Sequence, residues 1–148
     1  MPHLVILYSG NLDRPIAQGG TNMSALCRGL ADAMLSVRDE QERQVFPIGG
    51  TRVLAYPAAH WAISDGGAAG EAVGKGGDYA FVYLNLRMGR GRSAAVHERA
   101  GRALEAMVLQ HFEDQIKSRP IGLTLQIDEG PEVFDAKNSS LHPLFSKN

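Results

Sequence analysis

Cysteine is nearly absent from this 148-residue chain: Cys27 stands alone, so no intrachain disulfide can form. With no basic segment leading into an apolar core at the amino end, this points to a reduced, cytoplasmic setting. No apolar run approaches bilayer-spanning length, which argues against a membrane protein. Excess charge is lacking too. Fifteen Lys and Arg against 16 Asp and Glu leave a formal net charge of −1, unsuited to neutralising the many phosphates of a nucleic acid. A local cluster such as Arg87, Arg90 and Arg92 still suits a small anion. None of the five histidines has the H-x-x-x-H spacing of a helical zinc site, so metal binding has no support. What remains is ordinary globular composition, 44% hydrophobic and 21% charged, at the length of one domain with one core.

Pro2 opens an apolar strand, Pro2 to Tyr8. Removal of Met1 would turn its nitrogen from an amide, which is no base, into a secondary amine. A terminal amine titrates far below lysine, and desolvation or a nearby cation lowers it further, which suits proton transfer at neutral pH. The plainer reading is a strand start, where a missing N–H costs nothing.

After this strand, Met23, Leu26, Cys27, Leu30, Ala33, Met34 and Val37 recur with helical spacing, and Ser or Thr near 21–24 is the expected cap. Cys27 reads as a small core residue. Arg38 to Gln44 reads as a solvated helix end or loop. Phe46 to Gly50 forms a turn into an extended run, Thr51 to Ile63, which Pro57 makes broken or edge-placed. The six glycines of Ser64 to Gly77 predict a flexible connection.

Alternation in Tyr79 to Met88 then marks a strand whose second face carries Tyr79, Phe81, Tyr83, Asn85 and Arg87. A long helical stripe follows, from Val96 through Ala100, Ala103, Leu104, Met107, His111 and Phe112 to Ile116, and stops before Pro120. Ile121 to Asp128 alternates as a last strand. The pattern is β-α-β twice, each unit with a right-handed crossover between parallel strands, giving an α+β domain with a four-stranded sheet and two helices on one face. The other face then needs cover, which an oligomer would supply.

The segment Gly89 to Ala94 satisfies G-x-G-x-x-A, but the preceding strand alternates and no acidic residue ends a strand about 20 positions on, so a dinucleotide site is not supported. Gly70 to Gly77 likewise fails the P-loop pattern. What survives is two glycines that let a ligand approach, a helix N-terminus, and Arg92, able to hold a carboxylate with two bonds.

Pro2-His3, Phe46-Pro47 through Gly50 before Arg52, Asp78 to Val82, Gly89-x-Gly91-Arg92-Ser93 and Asn138-x-x-x-His142-x-Leu144-Phe145 occur in order. Over nearly its whole length the chain resembles the 5-carboxymethyl-2-hydroxymuconate isomerases of the tautomerase superfamily. The resemblance implies a β-α-β-β-α-β protomer in a homotrimer, with residues 1–130 as the domain and 131–148 as a tail packing on it or on a neighbouring subunit. It also implies Pro2 as acid and base, Arg52 and Arg92 as catalytic and carboxylate-binding residues, and Arg90 and Gly91 beside them in substrate binding. The substrate would be a small carboxylate from aromatic catabolism, in homoprotocatechuate degradation, and neither metal nor organic cofactor would be required.

Members commonly carry a second arginine two positions beyond that matched by Arg52, where this chain has Leu54. The anion pocket would then be rearranged, with Arg90 as an additional cation, and a smaller or less charged substrate favoured. The lengthened loops around 37–45 and 66–77 would border the site or extend into solvent. Competing expectations are proline-dependent tautomerisation, hydration or decarboxylation of a smaller oxo acid, and a non-catalytic trimer that binds a metabolite or serves a structural role.

Overall fold

A computed structural model describes residues 2–146. Its main elements are β1 (His3–Ser9), α1 (Met23–Ser36), β2 (Arg52–Ala58), α2 (Ala68–Ala72), β3 (Ala80–Gly89), α3 (Ala94–His111), α4 (Glu113–Ser118) and β4 (Ile121–Gly130). The sheet order is β2-β1-β3-β4. β1 with β2 and β3 with β4 run parallel, as helical crossovers require, and the two units join through antiparallel β1 and β3. β2 is an edge strand, which is why Pro57 fits within it, and it ends at Ala58, well short of Ile63.

Alternation decides which face is covered. Leu4, Ile6 and Tyr8 of β1 and Ala80, Val82, Leu84, Leu86 and Met88 of β3 lie beneath the helices, each at most 5% exposed. Met23, Leu26, Leu30 and Met34 of α1 and Val96, Ala100, Leu104 and Val108 of α3 close this core. The opposite face has no helix, leaving Leu7, Leu54 and Tyr56 about half exposed.

Several local expectations are corrected. The α1 cap is Asn22, whose side chain accepts from Ala25 N at 3.0 Å, in place of a Ser or Thr. The glycine-rich connection contains α2. The Asp65 carboxylate accepts from Gly67 N and Ala69 N, both at 2.9 Å, and these bonds hold its pKa below the usual carboxylate range. A Cβ on Gly67 would lie 2.4 Å from Gly77 O, and one on Gly70 2.0 Å from Gly76 O. These glycines therefore permit close backbone approach, which composition alone reads as flexibility. The long helix also divides at Phe112, which turns its ring fully into the core, while Ile116 beyond it is 45% exposed.

A buried polar knot joins the two units at the far end of β1. Ser9 Oγ donates to Asn11 Oδ1 at 2.7 Å and accepts from Phe81 N at 3.0 Å, while Asn11 Nδ2 donates to Tyr79 O at 2.8 Å. Asn11 is 1% exposed. Asn11→Ala strands the Ser9 hydroxyl and the Tyr79 carbonyl, and is expected to cost about 3 kcal/mol in denaturant unfolding. Arg28→Ala, which removes an exposed ion pair with Asp32, should cost no more than about 0.5 kcal/mol.

His111 Nε2 lies 2.7 Å from Thr21 Oγ1, and burial lowers the His111 pKa from 6.5. The unfolded chain accepts a proton that the folded chain resists, so stability should fall as pH drops below about 6.5 and level off beneath the folded pKa. His111→Gln should flatten that fall, leaving the share contributed by His3, as read by calorimetric midpoints from about pH 7 to 5.5.

Candidate active site

Strand directions gather the sequence candidates at one end of the sheet. The amino ends of β1 and β2 and the carboxyl ends of β3 and β4 coincide there. Pro2, just before β1, is buried, and Met1 lies outside the described residues. Gly89, Arg90, Gly91 and Arg92 link β3 to α3 at this same end.

Register arranges the uncovered face in rows. Arg52, His3, Arg87 and Asp128 form the row nearest Pro2, one residue from each strand. Arg52 and Arg87 thus stand on strands either side of Pro2-His3, each about 4.8 Å from it across the sheet. The His3 pKa lies below the usual imidazole range, through desolvation first and then the positive field of Arg52. Next come Leu54, Val5, Asn85 and Gln126, and then Tyr56, Leu7, Tyr83 and Thr124. Polarity is therefore concentrated at the mouth, and the aromatic and aliphatic groups lie deeper.

Arg92 is held from the loop before β2. Its Nη2 donates to Val45 O at 2.8 Å, and its guanidinium carbon lies 5.9 Å from the centre of the Phe46 ring. One bond and one ring contact leave further N–H groups of the fork for a carboxylate. Ser93 caps α3 by accepting from Val96 N at 3.2 Å, while its hydroxyl donates to Glu40. Arg99 Nη1 donates to Arg38 O at 3.2 Å. Of the two expectations for the 37–45 loop, the structure supports a border to the site: it braces the start of α3 and fixes Arg92.

The arginine cluster legible in the sequence is split. Arg92 turns back to Val45 and Phe46, Arg90 is exposed on the connecting turn, and Arg87 points from the uncovered face. Gly91 is exposed with φ +104°, a left-handed conformation that L side chains rarely adopt. His3 and Arg87 also line a cavity of about 350 Å³ with Glu132, Asp135, Ala136 and Lys137. The role of the Val45 carbonyl and the closure of this cavity by residues after β4 are long-range features that spacing along the chain does not reveal. No group of three His, Cys, Asp or Glu suited to holding a metal occurs among the described residues.

Comparison with known proteins agrees with this architecture. The model of the 5-carboxymethyl-2-hydroxymuconate isomerase family matches residues 2–145. The 5-carboxymethyl-2-hydroxymuconate Delta-isomerase of Escherichia coli is 30% identical over 149 residues, covering 98% of this chain and 99% of that protein. A crystal structure of a 5-carboxymethyl-2-hydroxymuconate delta-isomerase is 61% identical, with TM-score 0.93, covering 100% of this chain and 95% of the other. A fused 4-OT asymmetric trimer, 13% identical with TM-score 0.56, covers 96% of this chain and 98% of its own and shares the fold. With the sheet topology and these likenesses in agreement, the chain belongs to the 5-carboxymethyl-2-hydroxymuconate isomerase family and is an isomerase of tautomerase fold.

Proposed function

We propose that the chain, once Met1 is removed, ketonises 5-carboxymethyl-2-hydroxymuconate in aromatic-compound degradation, with the Pro2 amine as proton shuttle. The observation that carries this reading is the placement of buried Pro2 at the sheet end, beside the strand position of Arg52 and near the Arg92 loop. Burial and positive neighbours both disfavour a protonated amine, so they poise the prolyl nitrogen to exchange a proton near neutral pH. The dienol loses its 2-hydroxyl proton and gains one at the far end of the diene, while the double bonds shift. Composition is unchanged and no oxidant, metal or cofactor enters. Arg52 and Arg92 hold carboxylates and stabilise the negative charge that develops on the oxygen. Gly91 lets the substrate approach the backbone, and Arg90 supplies charge at the rim.

The site is completed by a homotrimer in this reading. A face bearing Leu7, Leu54, Tyr56 and Phe81, each more than a third exposed in the single chain, calls for burial, and the fused 4-OT trimer shares the fold. The tail joins that contact through its described residues, 131–146: Val133 and Phe134 are exposed, while His142 and Phe145 return against Gly49. A cytoplasmic setting suits the single thiol.

Stopped-flow ultraviolet ketonisation on protein whose intact mass lacks Met1 tests the chemistry. Pro2→Ala should lower kcat by about 100-fold or more with substrate affinity retained. Arg92→Ala should weaken binding about 10- to 100-fold. A Pro2→Ala protein that turns over normally would sink the proline assignment. Sedimentation should give three times the 16.0 kDa chain mass. Leu7→Glu, which places charge at the centre of the uncovered face, should shift it toward monomer without unfolding the chain.

A further inference from the structure

We infer that Arg87 binds the carboxymethyl carboxylate of the substrate and so sets specificity for a three-carboxylate dienol. The inference rests on the proposed ketonisation, but its evidence lies elsewhere in the fold. A muconate carries two carboxylates and the carboxymethyl arm adds a third. In the proposed mechanism Arg52 and Arg92 account for two, and Leu54, next on the same face of β2, is apolar. A third anion needs another cation within reach of Pro2.

Arg87 meets that need by position. It shares the row of Arg52 and His3, so the two guanidiniums bracket the Pro2-His3 strand from opposite sides on one face. The side chain is directed over Gly130, where a Cβ would lie 2.9 Å from Arg87 Nε and 2.5 Å from Glu132 Oε1. Gly130 therefore leaves room for this arrangement, and any larger residue would displace one of the two groups.

Arg87 also lines a cavity of about 350 Å³, large enough for a carboxymethyl group with its water. Glu132, which shares the cavity, makes no ion pair with Arg87, and two other nearby carboxylates are engaged elsewhere. Asp128, its register partner on β4, accepts from Asn85 Nδ2 at 2.7 Å, and Asp135 pairs with Lys137 at 2.9 Å. No hydrogen bond or ion pair engages the Arg87 guanidinium among the described residues. An arginine on a face due to be covered by other subunits needs an anion, because a desolvated lone charge is costly. Arg90 is the poorer choice, since it is exposed on a turn and does not line the cavity.

Arg87→Met, with Met1 confirmed absent and trimer mass and circular dichroism matching the parent, tests this on two substrates. KM for 5-carboxymethyl-2-hydroxymuconate should rise about 10- to 100-fold, while that for 2-hydroxymuconate, which lacks the arm, changes less than about twofold. Arg87→Lys should recover part of the loss through its point charge. Equal effects on both substrates, or none on either, overturn the inference. Calorimetric titration with propane-1,2,3-tricarboxylate and glutarate separates it from the ketonisation reading. If the parent prefers the tricarboxylate and Arg87→Met abolishes that preference, Arg87 is the third anion site even if no dienol is turned over. If the preference survives in Arg87→Met, the inference fails even where Pro2→Ala abolishes turnover.

Discussion

The antiparallel pairing of β1 with β3 is the constraint on which the remaining architecture depends. Each β-α-β unit has its own parallel pair, but only this central ladder turns two half-sheets into one. Its register is unforgiving. Sliding β1 by one residue would move Leu4, Ile6 and Tyr8 out from beneath the helices and bring His3, Val5 and Leu7 into the core. Loss of some 20–30 cal/mol for every Å² of apolar surface re-exposed makes such a slip prohibitive. The same ladder brings the start of the chain to the end of β3, so the energetics of core burial place Pro2 beside the Gly89 to Arg92 turn.

Much of this was legible in residue order because the deciding interactions are periodic. Alternation in 79–88 distinguishes the covered face of β3 from its aromatic and polar face, and the helical stripes identify the partners of the covered face. Composition failed where a residue acts through a distant contact. The glycines around α2 look flexible in sequence, yet Gly67 and Gly70 are required by backbone passing within van der Waals distance at Gly77 and Gly76. Phe112 continues an apolar stripe in sequence, but its rotation into the core is a tertiary decision that leaves Ile116 outside. At the site, Arg92 was recognisable from its glycine neighbours and helix start. Its attachment to Val45 O and Phe46 was not, since 47 residues separate the bonded groups.

That attachment matters for how the arginine works. A free arginine loses rotamer entropy each time it binds a carboxylate, whereas one already bonded to a carbonyl and seated on a ring has lost much of it on folding. The 37–45 loop supplies this preorganisation through Val45 and steadies the helix start through Glu40 and Ser93. Ser93 bonds also hold the Glu40 carboxyl below its usual pKa, keeping it an acceptor at neutral pH. A loop that reads as solvated in the sequence is thus coupled to the geometry of a side chain at the candidate site.

The uncovered face carries the last step of this logic. Its rows run from charged at the Pro2 end, through Leu54, Val5, Asn85 and Gln126, to Tyr56, Leu7 and Tyr83. The deeper polar groups are satisfied within the sheet, Asn85 by Asp128 and Tyr83 by Gln126 at 2.8 Å, so burying them carries little penalty. The row at the mouth differs, because it carries Arg52 and Arg87 on strands either side of His3. Association that covers the apolar rows would also lower the dielectric around Pro2, Arg52 and Arg87, which, in the proposed mechanism, would strengthen binding of carboxylates and disfavour protonation of a prolyl amine. In the proposed mechanism, burial of the face and activation of the proline would then be one physical event, organised by alternation along a single pair of strands.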